Sequence, residues 1–268
     1  STLMRSSAAS DVYKRQLDDL SDAIASSDIK DNFAETLVNN YVRDGKNYAV
    51  PKDFDTNALW YNKDLFDQAG VEYPTDDMTY DDLVALATEL KDKLPDGVYP
   101  FACPVDFQTW YYQTVYANGG WILNDDATET GYGDAKTQEG IQCWIDMIDA
   151  GLSPSASTLS ETGSDAMFEG EQIAMTLAGS YMVPEYASND TIKDKIDCVE
   201  VPTFNGVEDN CINGLGFAVY EGSKQKEEAE KFAIWMGSSE AQQIQGETGV
   251  VISAREDAQQ YFAKANGQ

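Results

Sequence analysis

The most informative absence in this sequence is histidine, which does not occur at all among 268 residues. Without an imidazole, the chain cannot build a Ser-His-Asp or Cys-His nucleophile system or a His-ligated zinc site. The phosphate-binding pattern G-x-x-x-x-G-K-[ST], the dinucleotide pattern G-x-G-x-x-G and the nucleophile elbow G-x-S-x-G are missing as well. Any chemistry therefore falls to carboxylates, lysine, tyrosine or a hard cation held by oxygen ligands.

Basic residues are scarce, since 18 lysines and arginines stand against 47 acidic residues and the net charge is −29. A field of this sign repels nucleic acid and anionic membranes, so neither is predicted as a partner. No cluster of bases is present to hold a phosphorylated or sulfated ligand, and no apolar run is long enough to cross a bilayer. Hydrophobic residues still make up 42% of the chain, which is enough to bury a core.

Cysteine is limited to four residues, none of them in a C-x-x-C pair, which disfavours a zinc ribbon or a redox motif. Cys198 and Cys211 flank a turn-rich segment at residues 203–210. Two interpretations stay open for them: a disulfide between adjacent strands, or buried free thiols.

An acidic stretch, Asn124–Asp126 followed by Glu129 and Asp134, also allows two interpretations. It is either a calcium loop or a solvated loop. Its spacing lacks the alternating ligands and the central glycine of an EF-hand, which favours the solvated loop. No metal and no cofactor is predicted.

Strand and helix patterns alternate along the chain, which predicts an α/β fold with largely parallel sheets. Helical periodicity covers Ile29–Tyr41, and Asn62 stands at the N-cap of a short helix that Gly70 ends. Thr79 begins a capping-box-like helix start. Before Asn62, the residues Asp53 and Asp55 occupy a polar connection between two extended pieces. That connection is either a solvated acidic turn or a loop that carries binding groups.

The run P-K-D-F-D-T-N-A-L-W-Y-N-K-D-L-F at Pro51–Phe66 resembles a segment of the family 1 bacterial extracellular solute-binding proteins. These are the sugar-capturing subunits of ABC importers related to the maltodextrin-binding protein. A second segment, Phe168–Tyr181, is similar to the family's F-x-x-G-x-x-A-M-x-x-x-G-x-W pattern, with Tyr181 in place of the usual tryptophan. The resemblance extends over nearly everything from Leu17 to Ala258.

Weaker matches complete the resemblance. Asn213–Val219 is similar to the return crossing of the family, and Gly249–Arg255 is similar to its G-x-x-P-x-R stretch, with Ser253 where proline is common. The opening segment Ser1–Gln16 resembles nothing in the family and is expected to be non-native.

The resemblance implies a two-lobed fold of the type II periplasmic-binding-protein kind. Lobe 1 would comprise residues 17–55 and 213–268, and lobe 2 residues 58–210. Relative to the family, we expect lobe 1 to be incomplete, without its first strands and without the C-terminal helices. A secretion or lipoprotein signal would lie upstream of the sequence.

Carbohydrate recognition combines aromatic rings, which stack on a sugar face, with carboxylates and amides that bind pairs of hydroxyls. The resemblance places Asp55, Phe107 and Tyr181 at positions that contact sugar in relatives of the maltodextrin-binding protein. For Tyr181 the alternative is a buried first-turn aromatic residue, and for Trp110 packing is favoured over binding. The residues expected to contact the ligand are Asp53, Asp55, Asn57, Asp106, Phe107, Gly179, Ser180, Tyr181 and Gly214.

The function that this resemblance implies is non-enzymatic. A monomeric extracytoplasmic protein, periplasmic or anchored as a lipoprotein, would capture a neutral mono- or oligosaccharide by hinge closure near Asp53–Thr56 and Cys211–Gly214. It would then deliver the sugar to ABC permease transmembrane subunits. Two alternatives remain: a glycoside hydrolase built on a pair of carboxylates, and an acidic surface-interaction domain without a small ligand.

Overall fold

A computed structural model describes residues 16–103, 108–124, 126–208 and 210–267, with only the backbone of residues 109 and 110. The strands in this part of the chain are β1 (Val42–Arg43), β2 (Lys46–Asn47), β3 (Val50–Pro51), β4 (Asp53–Phe54), β5 (Asn57–Asn62), β6 (Tyr99–Ala102), β7 (Ile173–Gly179), β8 (Ile196–Val199), β9 (Gly216–Phe217) and β10 (Ile252–Ser253). The α-helices are α1 (Ser21–Ala25), α2 (Ile29–Asn32), α3 (Glu35–Asn39), α4 (Lys63–Ala69), α5 (Tyr80–Lys91), α6 (Gln108–Ala117), α7 (Ala135–Asp149), α8 (Ala156–Thr162), α9 (Ser164–Glu169), α10 (Val183–Ser188), α11 (Lys226–Met236), α12 (Ser239–Glu247) and α13 (Gln259–Ala265).

The chain divides into two compact units, with the boundaries between residues 55 and 56 and between residues 211 and 212. The first unit holds the described residues up to Asp55 and from Ile212 onward, and the second unit is Thr56–Cys211. The non-native segment predicted at the N-terminus lies, except for Gln16, outside the described residues.

The second unit is built on a four-stranded sheet in the order β6-β7-β5-β8. Strand β7 is buried along its whole length, and β5 pairs with β7 on one side and with β8 on the other. Both of those pairings are antiparallel, while β6 and β7 are parallel. As a result, the carboxyl ends of β6, β7 and β8 share one edge of the sheet with the beginning of β5.

The passage from β5 into α4 shows why this stretch folds as the sequence predicts. The Asn62 side chain accepts a hydrogen bond from the Leu65 amide at 3.2 Å, and Gly70 ends the helix in the left-handed region at φ 63°. The predicted capping box also forms, since Thr79 and Asp82 exchange side-chain to backbone bonds at the start of α5. Both helix starts are therefore confirmed.

The core of the second unit packs aromatic rings from the sheet against those of helices α5 and α7. The Trp144 ring stacks on Phe101 at 5.8 Å and meets Tyr80 edge-on at 5.3 Å. The Tyr80 hydroxyl donates to the Cys143 carbonyl at 2.6 Å, and the Trp144 indole donates to Thr114 at 3.0 Å. Each polar atom on these buried rings thus has a partner, as burial requires.

The first unit contains short antiparallel pairs, β1 with β2, β3 with β9, and β4 with β10. Its core gathers residues from both parts of the chain that form this unit, including Leu20, Ile29 and Ala254. Arg255 is buried and bonds to Asp28 at 2.8 Å, to Asp257 and to the Gly237 carbonyl. This arginine joins the segment before β1 to the segment after β10.

Two sequence-based expectations about these elements are wrong. The sheets are not largely parallel, because β5 enters between β7 and β8 in the opposite direction and every pair in the described part of the first unit is antiparallel. Alternation of strand and helix patterns does not fix strand direction. The helix expected at Ile29–Tyr41 is interrupted at Phe33, whose extended backbone (φ −122°, ψ 141°) forms a bridge with Arg255.

The state of the cysteines decides whether the disulfide considered from the sequence is present. Cys103, Cys143 and Cys198 carry free thiols, so the disulfide considered between Cys198 and Cys211 does not form. The alternative of a buried free thiol is wrong for Cys198, which is exposed. This residue lies on β8, the outermost strand of the four-stranded sheet. Across the described residues, the helices fall short of the length and apolar character that a membrane span needs.

Removal of the Asn62 side chain tests the β5–α4 junction. Asn62 is completely buried, caps α4 and donates to Glu171 at 3.3 Å. We expect Asn62→Ala to lower the free energy of unfolding by about 1–3 kcal/mol, because a cap and a buried hydrogen bond are lost together. Urea denaturation gives the value, with the exposed Asn39→Ala as a matched control. Equal midpoints for the two variants would contradict this account of the junction.

Candidate functional site

The polar connection in the first unit is tightly organised around Asp53. This residue is buried, and one of its carboxylate oxygens accepts the Leu215 amide at 3.0 Å. The other oxygen forms an ion pair with Lys52. Asp53 is therefore committed to contacts within the first unit, and the interpretation of this stretch as a solvated turn does not hold for it.

Gly214 lies against the same backbone. A Cβ atom at Gly214 would stand 2.4 Å from the Asp53 carbonyl oxygen, which is closer than nonbonded atoms approach. The backbone φ of Gly214 is accessible to any residue. Glycine is needed here because two chain segments pack closely together. The structure gives Gly214 a packing role at this position.

Asp55, two residues further on, is in a different electrostatic situation. Its amide donates to the Asn213 carbonyl at 2.8 Å in an antiparallel bridge. Burial raises the pKa of the Asp55 carboxyl to about 6, and the nearby charge of Asp53 adds to this rise, although a backbone hydrogen bond from Asn213 opposes it. When Asp55 is ionised, its half-buried carboxylate is therefore poorly solvated, and the hydrogen bond from Asn213 offsets only part of that loss of solvation.

The beginning of β5 carries Asn57, which is buried and pairs with Gly179 across the sheet. Its side-chain amide donates to Asn210 Oδ1 and to the Cys211 carbonyl, both at 3.3 Å, and Asn210 donates back to the Asn57 carbonyl at 2.8 Å. The Asn57 side-chain oxygen is buried and has no hydrogen-bond partner among the described residues. A buried acceptor without a partner costs free energy that a donor on a ligand would recover.

Ser180 and Tyr181 follow directly at the carboxyl end of β7. The Ser180 amide donates to the Thr56 carbonyl at 2.9 Å, which holds the turn beside the start of β5. The Ser180 hydroxyl is the second buried polar group here for which the described residues offer no partner. Tyr181 is half-buried, and an added Cβ at Gly179 would lie 2.3 Å from its ring. We call Asn57, Gly179, Ser180 and Tyr181 the strand-end cluster.

Gly179 is one of the residues expected from the sequence to contact the ligand. In the structure, the space beside its Cα is filled by the Tyr181 ring. The glycine positions the tyrosine, and the tyrosine is the group that presents a flat face.

A cavity of about 820 Å³ opens next to the start of β5 in the second unit. Asn57 and Asn210 line it together with four acidic residues, Asp76, Asp77, Glu200 and Glu208. Two of these carboxylates already accept hydrogen bonds within the protein. Asp76 accepts one from the Glu200 amide at 3.0 Å, and Asp77 accepts one from the Thr75 hydroxyl at 2.6 Å. The carboxylates among its lining residues can accept hydrogen bonds from a ligand.

The acidic loop near residue 124 uses its own side chains to fold. Asn124 accepts the amides of Thr128 and Glu129 at 2.9 and 3.0 Å, and Asp126 accepts the Thr128 hydroxyl at 2.6 Å. Within the ranges that the structure covers, which omit Asp125, no group of three acidic or cysteine side chains is arranged to hold a metal ion.

The structure brings together only part of the predicted set. In the second unit Asn57, Gly179, Ser180 and Tyr181 meet at one sheet edge, and in the first unit Asp53 and Gly214 are in contact. Asp106 and Phe107 lie outside the described residues, as does the side chain of Trp110. Sequence reasoning missed Asn210, because an asparagine in a turn-rich segment gives no signal that it pairs with Asn57, 153 positions earlier in the chain.

The chain is similar to known binding proteins. The family model described as bacterial extracellular solute-binding protein matches residues 2–243. A putative binding protein of Brucella abortus is 29% identical over 222 residues, which are 78% of this chain and 51% of that protein. An arabinooligosaccharide-binding protein of Halalkalibacterium halodurans is 25% identical over 219 residues, 78% of this chain and 48% of that one. The chain thus spans about half the length of the curated relatives it matches.

Among solved structures, an ABC substrate-binding protein of Listeria monocytogenes in complex with cycloalternan superimposes with a TM-score of 0.83. It is 30% identical to this chain, and the match covers 95% of this chain and 66% of that one.

Substitution of Gly214 tests the close contact with Asp53. We expect Gly214→Ala to lower the free energy of unfolding by roughly 1–3 kcal/mol, because the new methyl group must displace backbone. Gly133→Ala is the matched control, since a Cβ there meets open space. Urea midpoints for both variants check this, and a Gly214→Ala protein as stable as Gly133→Ala would contradict the contact.

Substitution of Asp55 tests its desolvation. Because the folded pKa is about 6 against the usual 3.8, the contribution of Asp55 to stability is fully present below pH 4 and is lost as the pH rises from about 4 through 6. Asn cannot ionise, so we expect Asp55→Asn to be more stable than wild type by about 1–3 kcal/mol at pH 7, a range that allows for partial solvent screening. Its advantage should nearly vanish at pH 4.

Chemical denaturation at the two pH values measures this difference, with the exposed Asp96→Asn as the control for loss of one negative charge. A gain at pH 7 that is the same for both variants, or that persists unchanged at pH 4, would show that Asp55 is not desolvated in the folded chain.

Proposed function

Because this chain belongs to the family of bacterial extracellular solute-binding proteins, we propose that it binds a neutral carbohydrate and delivers it to the transmembrane subunits of an ABC importer. The family predicted from the sequence is confirmed, and so is the fold class, an α/β fold of the type II periplasmic-binding-protein kind. Proteins of this family are binding proteins that act outside the cytoplasm. Anchorage as a lipoprotein and a monomeric state belong to the proposal.

The observation that carries the proposal is the likeness, at 30% identity over 95% of this chain, to an ABC substrate-binding protein in complex with cycloalternan. A second relative is named for arabinooligosaccharide. The composition agrees with an uncharged ligand, because the net charge of −29 opposes anionic cargo.

We propose the strand-end cluster of the second unit as a sugar-contact surface, and we propose Asp55 of the first unit separately as a sugar-contact residue. A sugar hydroxyl donates to the Asp55 carboxylate, whose pKa near 6 reflects poor solvation that a ligand hydroxyl relieves. Ser180 Oγ and Asn57 Oδ1 are polar groups without partners among the described residues. Tyr181 supplies a ring face for stacking. Asp106 and Phe107 remain in the proposal on the family resemblance alone.

Asp53 and Gly214 take supporting positions in this scheme. Asp53 is held by Lys52 and the Leu215 amide, and Gly214 packs on its backbone, so both shape the segment that ends at Asp55. The chain passes between the units only at residues 55–56 and 211–212. We propose the segments Asp53–Thr56 and Cys211–Gly214, which contain these two passages, as the hinge for closure on the ligand.

Binding without hydrolysis is favoured over the glycosidase alternative. Glycoside hydrolysis needs two carboxyl groups on either side of the scissile bond, one of them free to act as a proton donor. Asp53, the carboxylate nearest to Asp55 in sequence, is neutralised by Lys52 and bound to a backbone amide. Release of reducing sugar by the purified chain would revive the hydrolase alternative.

Thermal shift against neutral mono- and oligosaccharides tests the function. We expect one sugar to raise the melting temperature in a saturable way, because ligand at 100 times its dissociation constant adds about 2.7 kcal/mol. Asp55→Ala and Tyr181→Ala should lose the shift while still unfolding cooperatively, and the exposed Tyr73→Ala serves as the matched control. No shift with any sugar would favour the interaction-domain alternative.

A further inference from the structure

The acidic cavity of the second unit opens at the point where β8 leaves β5. In the described structure, β8 pairs with β5 only from Leu59 to Asn62, so Asn57 and Ala58 have no strand beside them on that side. The Asn210 side chain takes the place of a strand there, since it accepts the Asn57 backbone amide at 3.3 Å and donates to the Asn57 carbonyl at 2.8 Å. The cavity of about 820 Å³ lies next to this pairing and is lined by both asparagines.

The cavity and the turn of the strand-end cluster lie on opposite sides of β5. In the sheet order β6-β7-β5-β8, strand β7 leads to Ser180 and Tyr181, whereas the end of β8 and the residues after it line the cavity. Asn57 is the one member of the strand-end cluster in the described lining. That lining contains no aromatic residue, so a sugar ring would find no face on which to stack.

The charge of the cavity favours a cation. Four acidic residues and no lysine or arginine are among its described lining residues, and a field of this sign attracts positive charge. The carboxylates of Glu200 and Glu208 make no hydrogen bond or ion pair with the described residues. In the same part of the chain, which omits Asp209, no group of three acidic or cysteine side chains is placed to hold a metal ion. The cation that fits is therefore organic.

A buried acceptor at the cavity is an independent indication of a ligand. Asn57 is only 5% exposed, and its Oδ1 has no hydrogen-bond partner among the described residues. The amide nitrogen of the same side chain donates to Asn210, another lining residue, so the amide group faces the cavity. An amide oxygen can only accept hydrogen bonds, and a ligand that donates would satisfy it.

The apolar part of the lining favours an aliphatic body for this ligand. Ala58, Val199 and Val201 line the cavity together with the carboxylates. Methylene groups can cover such a surface while ammonium groups reach the carboxylates and form charge-assisted hydrogen bonds with them. The volume of the cavity lies within the range of about 300–1,000 Å³ that is usual for small-molecule sites.

We infer that this cavity binds an aliphatic polyamine, a linear chain that carries two or more ammonium groups. One ammonium group donates to Asn57 Oδ1, and the others pair with Glu200 and Glu208. The site is additional to the proposed carbohydrate site and takes a ligand of a different chemical class. Because Asn57 belongs to both, a bound polyamine leaves the sugar contacts of the second unit to Ser180 and Tyr181.

Calorimetric titration with spermidine at low ionic strength tests the inference. We expect wild type to bind one equivalent in a saturable way, and butylamine, with its single ammonium group, to bind roughly tenfold more weakly. The double variant Glu200→Gln/Glu208→Gln should also lose roughly tenfold in affinity for spermidine, because two charged acceptors are removed. The matched control Glu72→Gln/Asp96→Asn removes two exposed charges of the second unit outside the cavity and should bind like wild type.

Nuclear magnetic resonance of the side-chain amides locates the ligand. Spermidine should shift the signals of Asn57 and Asn210 and leave that of the exposed Asn39 unchanged. Binding heat without a shift at Asn57 would overturn the inference, as would the absence of saturable binding, equal weakening in the two double variants, or butylamine binding as tightly as spermidine. The thermal shift with sugar should persist in Glu200→Gln/Glu208→Gln, so the proposed function can stand where this inference fails.

Discussion

The pairing of β5 with β7 is the constraint on which the second unit depends. It sets Asn57 opposite Gly179 and so brings the start of one strand to the end of the other. Because β5 alternates buried and half-buried residues from Asn57 to Trp60 and is paired on both sides, a slip of one residue would turn its buried side chains to the other face. The position of the strand-end cluster therefore follows from core packing and is not left to loop conformation.

Two polar groups at this edge lack the hydrogen bonds that buried groups normally make. Asn57 Oδ1 and Ser180 Oγ are buried without partners in the described structure. In the core of the same unit, Trp144 and Tyr80 both satisfy their polar atoms. Such a contrast between a satisfied core and unsatisfied residues at one edge is expected where stability is given up for binding.

The sequence predicts those features that local chemistry determines. The cap at Asn62, the left-handed stop at Gly70 and the capping box at Thr79 each depend on residues a few positions apart, and all three form. The direction of β5 and the break of the helix at Phe33 depend on partners far along the chain, and these were predicted wrongly. The resemblance to a family identified the fold because a long family motif is specific to one tertiary structure. Hydrophobic periodicity indicates only local secondary structure.

The candidate site shows the same limit. Residues on a recognisable motif, such as Asp55 and Tyr181, could be proposed from the sequence, whereas Asn210 could not, since its pairing with Asn57 spans 153 positions of the chain. The contact of Gly179 with the Tyr181 ring could not be predicted, because the ring lies two residues further on, in a turn whose shape the sequence does not specify.

A crystal structure of this chain with the carbohydrate that binds best is the most direct measurement of where the ligand lies. The account predicts a sugar ring on the face of Tyr181, with a sugar hydroxyl within about 3.2 Å of Ser180 Oγ or Asn57 Oδ1. A well-ordered sugar elsewhere, with these two oxygens still lacking partners, would contradict the claim that the edge of the β5–β7 pair is the binding site.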